Sequence, residues 1–250
     1  MAKKPVLTYT VIAINSLLFI AMMVYDRQLS YPTLVNFGAK VNFRIADYKF
    51  WHLVMPMFLH GSVQHLLFNN LALYYFAPLI EFQLGRLRFA VSYIAIGIIA
   101  AIGSFIFVPN VSLGASGVIY GFMAYHLYLY LLNKQLYLRI FGNSILQLIA
   151  VNLALTFLVP NIDIAGHLFG FIGGFIVYSL IIKQLPNRLF KPLAIVLLIA
   201  IGGGFFYRML YYPKTEDYFM AKGAYYYQME DWQELQKVEN DYQKFLETTQ

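Results

Sequence analysis

Seven long apolar stretches, separated by short polar loops, occupy the first 213 residues of this chain. A helix needs roughly 20 apolar residues to cross the hydrocarbon core of a bilayer. Apolar residues make up 60% of the sequence and charged residues only 12%, which leaves too little polar surface to cover a soluble domain. The sequence therefore predicts an all-α polytopic membrane protein. The predicted spans are Val6–Tyr25, Ser62–Ile80, Phe89–Val108, Ala115–Leu132, Ile140–Val159, Ala165–Ile182 and Pro192–Tyr211.

The acidic residues divide the chain at position 214, since only four of the twelve precede it. We predict a six-helix core over residues 1–184 with a first outer loop at 26–61, then a cytoplasmic loop and seventh transmembrane helix at 185–213. Residues 214–250 form a soluble helical tail, which alternates aromatic and charged residues at helical spacing and is faintly similar to one tetratricopeptide unit. A solvated amphipathic pair of helices is favoured there over a contact with another protein.

Basic residues predict how the chain is oriented in the membrane. If the N-terminus is cytoplasmic, the outer loops at 109–114 and 160–163 contain no Lys or Arg, and the first outer loop is the exception, with four. The cytoplasmic loops then contain Arg86, Arg88, Lys134, Arg139, Lys183, Arg188 and Lys191. This arrangement satisfies the positive-inside rule. An odd number of spans places the C-terminus outside, and the short N-terminus without organelle targeting favours a bacterial cytoplasmic membrane.

Composition also excludes several kinds of chemistry. The chain has no cysteine, so it has no disulfide, thiolate metal site or cysteine nucleophile. It has no His-Glu-x-x-His pair and no basic stripe with interleaved aromatic residues. We therefore expect no cofactor, no metal and no nucleic-acid partner.

Four polar residues are predicted to lie at one depth near the outer face. Ser116 and His167 begin the fourth and sixth spans, and His65 and Asn69 lie near the start of the second span, which runs in the same direction. Ionisable residues in a membrane are costly to bury and are therefore functional candidates by default.

Glycines predict that the helices bearing Ser116 and His167 cross closely. Gly117 and Gly121 on the fourth span, and Gly170 and Gly174 on a helical stripe with His167 on the sixth, remove side-chain bulk where the two helices would cross. Gly114 and Gly117 also flank the serine. Small residues on membrane helices usually serve packing alone, which is the simple alternative reading. A close crossing is also what a hydrogen bond between a serine and a histidine on two helices requires.

The residue types suit hydrolysis of an amide. A serine hydroxyl needs a base to take its proton, and His167 fits that role. The positions of the carboxylates predict a dyad without an acid, with Tyr120 stacked on the imidazole. His65, the Asn69 amide and the backbone N–H of Ser116 are available to stabilise the oxyanion.

These residues resemble the rhomboid family of intramembrane serine proteases over roughly Phe50 to Gly174. The resemblance rests on separated motifs in order: Phe50-Trp51-His52 with His60, His65 and Asn69; Tyr75, Glu81 and Gly85; Gly114-Ala115-Ser116-Gly117 with Tyr120; and His167 with Gly170 and Gly174. Two departures are His52, where the family usually has arginine after the tryptophan, and Ala77-Pro78 in place of glycines.

The resemblance implies a serine protease with Ser116 as nucleophile, His167 as base, and His65 and Asn69 as oxyanion donors. It also implies a six-helix core with a water-filled cavity that opens outward. Substrates would be membrane proteins with a transmembrane helix, cut in the lipid bilayer near the outer membrane face.

Two other functions stay open at this point. A transporter or proton-coupled channel would use His65, His126 and His167 as a proton path, although the chain shows no internal repeat. A non-proteolytic rhomboid-like protein would bind membrane proteins, although such relatives usually lack the serine or the histidine. A soluble hydrolase elbow is excluded because Val118 stands where that motif needs glycine.

Overall fold

The computed structural model describes residues 4–158, 162–182 and 187–249. It confirms the predicted all-α class, since its regular elements in these ranges are helices. They are α1 (Val6–Tyr25), α2 (Tyr31–Phe37), α3 (Asn42–Ala46), α4 (Val63–Leu84), α5 (Arg86–Phe107), α6 (Ser116–Leu132), α7 (Lys134–Phe141), α8 (Ser144–Leu158), α9 (Ile164–Ile181), α10 (Asn187–Tyr211), α11 (Glu216–Gln228) and α12 (Trp232–Thr249).

Several of these helices are suited to cross a membrane. Within the described residues, four are long and apolar enough: α1, α5, α9 and the stretch Leu189–Lys214 that contains most of α10. The bent pair α7 and α8 makes a fifth if it is counted as one span. Helices α4 and α6 occupy the predicted second and fourth spans, but α6 is only 17 residues long and α4 contains six polar or charged side chains. Helices α4 and α6, which are less apolar or shorter than the others, carry three of the four polar residues predicted to form the site.

The predicted fifth span, Ile140–Val159, is wrong at its start. The chain bends by 91° between α7 and α8, and α8 begins at Ser144. Gly142 follows α7 with φ +59°, a left-handed conformation that glycine adopts without strain and that ends a helix. The predicted end, Val159, lies outside the described residues.

The centre of the molecule is the packing of α5, α6 and α9. A β-carbon on Gly174 would collide with the backbone of Gly121, so the α6 and α9 backbones are in contact. Large side chains, among them Tyr93, Phe122 and Tyr178, are fully buried around this crossing. This contact fixes the relative position of the two helices that carry Ser116 and His167.

A carboxylate on α4 caps the N-terminus of α1. Glu81 accepts hydrogen bonds from the backbone N–H groups of Leu7 (2.9 Å) and Thr8 (2.8 Å), and from the Thr8 hydroxyl (2.9 Å). The first turn of a helix leaves N–H groups without partners and favours negative charge. Glu81 therefore joins the start of the first span to the end of α4.

The first loop, residues 26–61, is folded and largely buried. It contains α2, α3 and two short 3₁₀ turns, and residues such as Val35, Phe43 and Ile45 form an apolar cluster with Phe105 of α5 and Tyr225 of α11. His52 Nδ1 lies 2.7 Å from the carbonyl oxygen of Ala39. Burial lowers the pKa of His52 to about 4, so the ring is neutral near pH 7.

Lys40 ties the first loop to the segment that precedes α6. Its backbone pairs with Ser112 in an isolated antiparallel bridge, and its ammonium donates to the carbonyl oxygens of Val108 and Asn110, each at 2.8 Å, and to Asn42 Oδ1 at 3.1 Å. All three donors are thus used. Burial lowers the pKa of this amine to about 7.

The C-terminal residues form the predicted helical hairpin, α11 and α12, and it packs on the first loop. Lys222 makes an ion pair with Asp47 at 2.9 Å, and the Tyr225 hydroxyl donates to Asn36 Oδ1 at 2.7 Å. The guanidinium of Arg44 lies over the Tyr225 ring, 4.5 Å from its centroid. The hairpin thus contacts its own chain, while the predicted division at 1–184, 185–213 and 214–250 stays a prediction.

Candidate active site

Ser116 begins α6 after a sharp turn. Gly114 has φ +125°, a conformation that side chains rarely allow, and its N–H donates to the carbonyl oxygen of Pro56 at 2.8 Å. The turn leaves the N–H of Ser116 in the first turn of α6, where helical backbone donors have no partner in the helix. The serine hydroxyl and a free backbone donor are therefore presented together.

His167 lies one turn inside α9, behind a capped helix start. Asp163 Oδ1 accepts a hydrogen bond from the N–H of Gly166 at 2.7 Å. Asp163 thus caps the helix. A β-carbon on Gly166 would lie only 2.7 Å from the nearest carboxylate oxygen of Asp163. A β-carbon at position 166 would displace the Asp163 carboxylate, so the glycine allows this cap to form just ahead of the histidine.

The two predicted reactive groups face each other across the α6–α9 crossing. His167 Nε2 lies 2.8 Å from Ser116 Oγ. The Tyr120 ring stacks on the imidazole, with 4.3 Å between centroids and 16° between planes. This geometry allows the serine hydroxyl to donate its proton to Nε2, and the stacked ring restricts the imidazole to one plane.

Helix α4 brings the remaining pair to the same place. The Ser62 hydroxyl caps α4 by accepting from the N–H of His65 at 3.1 Å. A β-carbon on Gly114 would lie 2.6 Å from His65 Nε2 and 3.7 Å from Asn69 Nδ2, so both nitrogen atoms lie against the turn that leads to Ser116. The Asn69 amide also donates to the carbonyl oxygen of His65 at 3.0 Å, which orients it.

These groups line a cavity of about 430 Å³. Its wall includes Ser116, His167, His65, Asn69 and Gly114, and also the apolar side chain of Met57. This volume lies within the range of about 300–1,000 Å³ that is usual for ligand pockets. The structure therefore brings together all the residues that the sequence analysis placed in one layer.

The predicted glycines serve the crossing of α6 and α9. A β-carbon on Gly117 would lie 2.7 Å from that of Ala100 on α5, and one on Gly170 would collide with the backbone of Gly117. Gly174, one turn further along α9, has the same role, because a β-carbon there would collide with the backbone of Gly121. Each of these positions excludes a larger residue for a steric reason.

Sequence reasoning missed one polar neighbour of the imidazole. Thr156 Oγ1, on α8, lies 3.1 Å from His167 Nδ1, and the Tyr120 hydroxyl contacts the same oxygen. Thr156 and Asn152 are polar residues four apart in an apolar helix, and this spacing was the one available signal. This spacing did not indicate which helix Asn152 and Thr156 face.

No group of three or more His, Cys, Asp or Glu side chains suited to a metal ion occurs among the residues the structure describes.

The fold and the site together define a polytopic all-α membrane protein with a serine–histidine pair at one end of its helix bundle. Residues 47–184 match the Rhomboid domain family. The chain is 40% identical over 215 residues to "Rhomboid protease GluP" of Bacillus subtilis (strain 168), an alignment that covers 86% of this chain and 42% of GluP. It is 32% identical over 188 residues to "Putative rhomboid protease YdcA" of the same bacterium, covering 74% of this chain and 92% of YdcA.

A plant protein, "RHOMBOID-like protein 2" of Arabidopsis thaliana, is 34% identical over 134 residues, which are 52% of this chain and 42% of that protein. This chain belongs to the rhomboid family. It spans less than half the length of GluP and most of the length of YdcA.

Proposed function

We propose that this chain is an intramembrane serine endopeptidase that cleaves transmembrane or membrane-anchored proteins near the outer membrane face. The observation that carries the proposal is the 2.8 Å contact between Ser116 Oγ and His167 Nε2 on the wall of a cavity. Membership of the rhomboid family supports it, as does the 40% identity to GluP, a rhomboid protease.

The reaction proceeds by acyl transfer through Ser116. Oγ attacks the carbonyl carbon of the scissile amide while its proton passes to His167 Nε2, and the carbonyl oxygen becomes an oxyanion. The C–N bond then breaks as Nε2 returns the proton to the leaving amine. Water, activated by the same imidazole, releases the second product from the serine.

The oxyanion is stabilised by donors from α4 and α6. Those available are His65 Nε2, the Asn69 amide and the backbone N–H of Ser116, which converge on the Gly114 turn. The loss of one such donor typically raises the barrier by about 3 to 4 kcal/mol. Asn69 is buried and already oriented by the carbonyl oxygen of His65, so its amide needs no rearrangement.

The chain lies in a cell membrane with its N-terminus cytoplasmic and its C-terminus outside. The distribution of Lys and Arg supports this orientation, and the relatives from Bacillus subtilis support a bacterial cytoplasmic membrane. The hairpin α11–α12 packs on the first loop, at the Ser116 end of the bundle, so the C-terminus and the first loop lie on the same side of the membrane. A contact of the hairpin with another protein stays a prediction.

The proposal is tested with purified protein in detergent, a fluorophosphonate probe and a model transmembrane substrate. Ser116→Ala is expected to abolish both labelling and cleavage, and His167→Ala to reduce both by at least about a thousandfold. Ser92→Ala is the matched control, because Ser92 is a buried helical serine that bonds only the Arg88 carbonyl oxygen. Labelling that persists in Ser116→Ala would place the nucleophile elsewhere. Ion flux in liposomes without cleavage by any variant would favour the transporter.

A further inference from the structure

We propose that Thr156 is a positioning residue for His167, holding the imidazole in the one tautomer that can accept the Ser116 proton. This inference rests on the proposed function for its catalytic meaning. Its structural part, the contact between Thr156 Oγ1 and His167 Nδ1, does not depend on it.

Thr156 contacts the edge of the imidazole that Ser116 does not use. Its Oγ1 lies 3.1 Å from Nδ1, while Ser116 Oγ lies 2.8 Å from Nε2. The Thr156 side chain is 1% exposed, so water does not compete for the contact. The buried residues of α8 are Ile149 and Thr156. Thr156 is therefore one of the few side chains that pack α8 against the bundle.

The direction of each hydrogen bond follows from the donors present. A base at Nε2 must accept from Ser116, so the single proton of the neutral ring is on Nδ1. That N–H donates to Thr156 Oγ1, whose own hydroxyl proton donates to the carbonyl oxygen of Asn152 at 3.1 Å. The Tyr120 hydroxyl donates to the same carbonyl oxygen at 2.5 Å. Every proton in the chain from Ser116 to Asn152 thus has one acceptor.

Reversing the tautomer would reverse the hydrogen bonds at both ends of this chain. With the proton on Nε2, the ring would donate to Ser116 Oγ and could not accept the serine proton. Thr156 would then donate to Nδ1 and give up its hydrogen bond to the Asn152 carbonyl oxygen, which would keep the Tyr120 hydroxyl as its donor. The tautomer protonated at Nδ1 is therefore the one that keeps both hydroxyl groups on Asn152 and leaves Nε2 able to act as a base.

No carboxylate in the described residues is hydrogen-bonded to the His167 ring to orient it. The hydrogen bonds observed there to the His167 ring join it to Ser116 and Thr156. Asp163, the carboxylate next to His167 in sequence, caps α9 through the N–H of Gly166. In serine hydrolases with a triad, an aspartate orients the histidine through this same nitrogen. Here a neutral hydroxyl occupies that position, and it keeps its hydrogen bond when the ring is protonated because Nδ1–H is present in both forms.

The test compares Thr156→Val, which has nearly the same shape but no hydroxyl, with Thr156→Ser, which keeps the hydroxyl. Thr156→Val is expected to lower kcat by about 10- to 100-fold with KM nearly unchanged, as a lost hydrogen bond to an ionising group would. Thr156→Ser is expected to recover kcat to within about threefold of wild type. Thr10→Val is the matched control, because Thr10 bonds the carbonyl oxygen four residues earlier on α1, away from the site.

A second readout separates positioning from packing. The ¹⁵N spectrum of the histidine side chains, with His167 assigned by difference from His167→Gln, is expected to show one tautomer protonated at Nδ1 in wild type and Thr156→Ser. Thr156→Val is expected to show a mixture. Where Thr156→Val does not fold, Thr156→Ala is measured in its place.

Two results would overturn the inference: a kcat within twofold of wild type in Thr156→Val, or an unchanged tautomer in that variant. Failure of the proposed function is distinguished by Ser116→Ala, since cleavage retained there would move the nucleophile while leaving the tautomer measurement valid.

Discussion

Gly170 on α9 lies directly against the backbone of Gly117 on α6, so that a β-carbon at position 170 would occupy the space of the Gly117 carbonyl group. The contact is backbone to backbone, and no side-chain rotation can relieve such a collision. Ser116 directly precedes Gly117, and His167 lies three residues before Gly170. The distance between the two helices therefore sets the distance between the two reactive groups.

Gly170→Ala is therefore expected to abolish cleavage and fluorophosphonate labelling, because α6 and α9 must move apart and the 2.8 Å contact must lengthen. A displacement of 1 Å at a reacting pair can cost about a hundredfold in rate. Labelling rate and melting temperature in detergent are the measurements.

Gly202→Ala and Gly203→Ala on α10 are the matched controls, since a β-carbon at either position meets no atom within 4 Å. Both are expected to keep full activity and to be slightly stabilised by the better helix propensity of alanine. An active Gly170→Ala enzyme would contradict the close crossing.

Removing the charge of Glu81 is expected to destabilise the protein without changing its chemistry. Glu81→Gln retains one acceptor for the first turn of α1 but loses the charge that three donors share. A loss of about 1 to 2 kcal/mol in the free energy of unfolding is expected, measured by denaturant titration in micelles. Glu239→Gln, at an exposed position of α12, is expected to change nothing. A kcat that fell in parallel for the folded Glu81→Gln protein would contradict the purely structural role.

Reversing the charge of Lys222 is expected to loosen the C-terminal hairpin. Lys222→Glu places a carboxylate beside Asp47 in a partly buried contact, where the ammonium now lies at 2.9 Å. Faster cleavage of α11–α12 by a soluble protease is expected, and the double variant Lys222→Glu with Asp47→Lys is expected to recover resistance.

Lys244→Glu serves as the control for that experiment, because Lys244 is exposed on α12 and its distance to Asp241 is a long 3.8 Å. Equal digestion of Lys222→Glu and wild type would show that the ion pair does not hold the hairpin on the first loop.

The first loop is expected to lose stability in mild acid. Burial lowers the pKa of His52 to about 4, against an ordinary value of 6.5, so the unfolded loop binds more protons than the folded loop between these pH values. Stability is therefore fully present above about pH 6.5 and falls as the pH decreases toward 4. Burial also lowers the pKa of His60, to about 3, which adds to the loss in the same direction.

His52→Gln removes the titrating ring and retains a donor for the carbonyl oxygen of Ala39. Between pH 7.5 and 5, the melting temperature of this variant is expected to decrease less than that of wild type. The two decreases are expected to differ by about 2 to 8 °C, which corresponds to roughly 1 to 2 kcal/mol in the free energy of unfolding. Parallel curves for the two proteins would exclude His52 as a source of the acid lability.

The sequence was sufficient to predict the pairs that share a helix or a helix crossing. The spacing of Ser116 and Tyr120, and of His167, Gly170 and Gly174, follows from the helical repeat, and one direction of travel through the membrane places these groups at one level. The contacts that the sequence could not predict join elements far apart in the chain. Glu81 accepts from Thr8, 73 residues earlier in the chain, and Thr156 reaches His167 only because α8 turns this side chain toward α9.

The start of the fifth span was misplaced for a local reason, since Ile140 and Phe141 are apolar but belong to α7, which ends at Gly142 with its positive φ before α8 begins at Ser144. Docking of the hairpin also depended on side chains of the first loop, Asn36, Arg44 and Asp47, whose pattern in sequence indicates only a polar surface.

The ammonium of Lys40 is bonded to two carbonyl groups of the segment that runs into Gly114 and Ser116. Replacing Lys40 with methionine would remove the donor to the Asn110 carbonyl oxygen and leave the Val108 carbonyl oxygen with the Asn42 amide alone. The segment that leads to the nucleophile would then be held less firmly although its own helix is unchanged, so a buried amine of the first loop helps to position the serine.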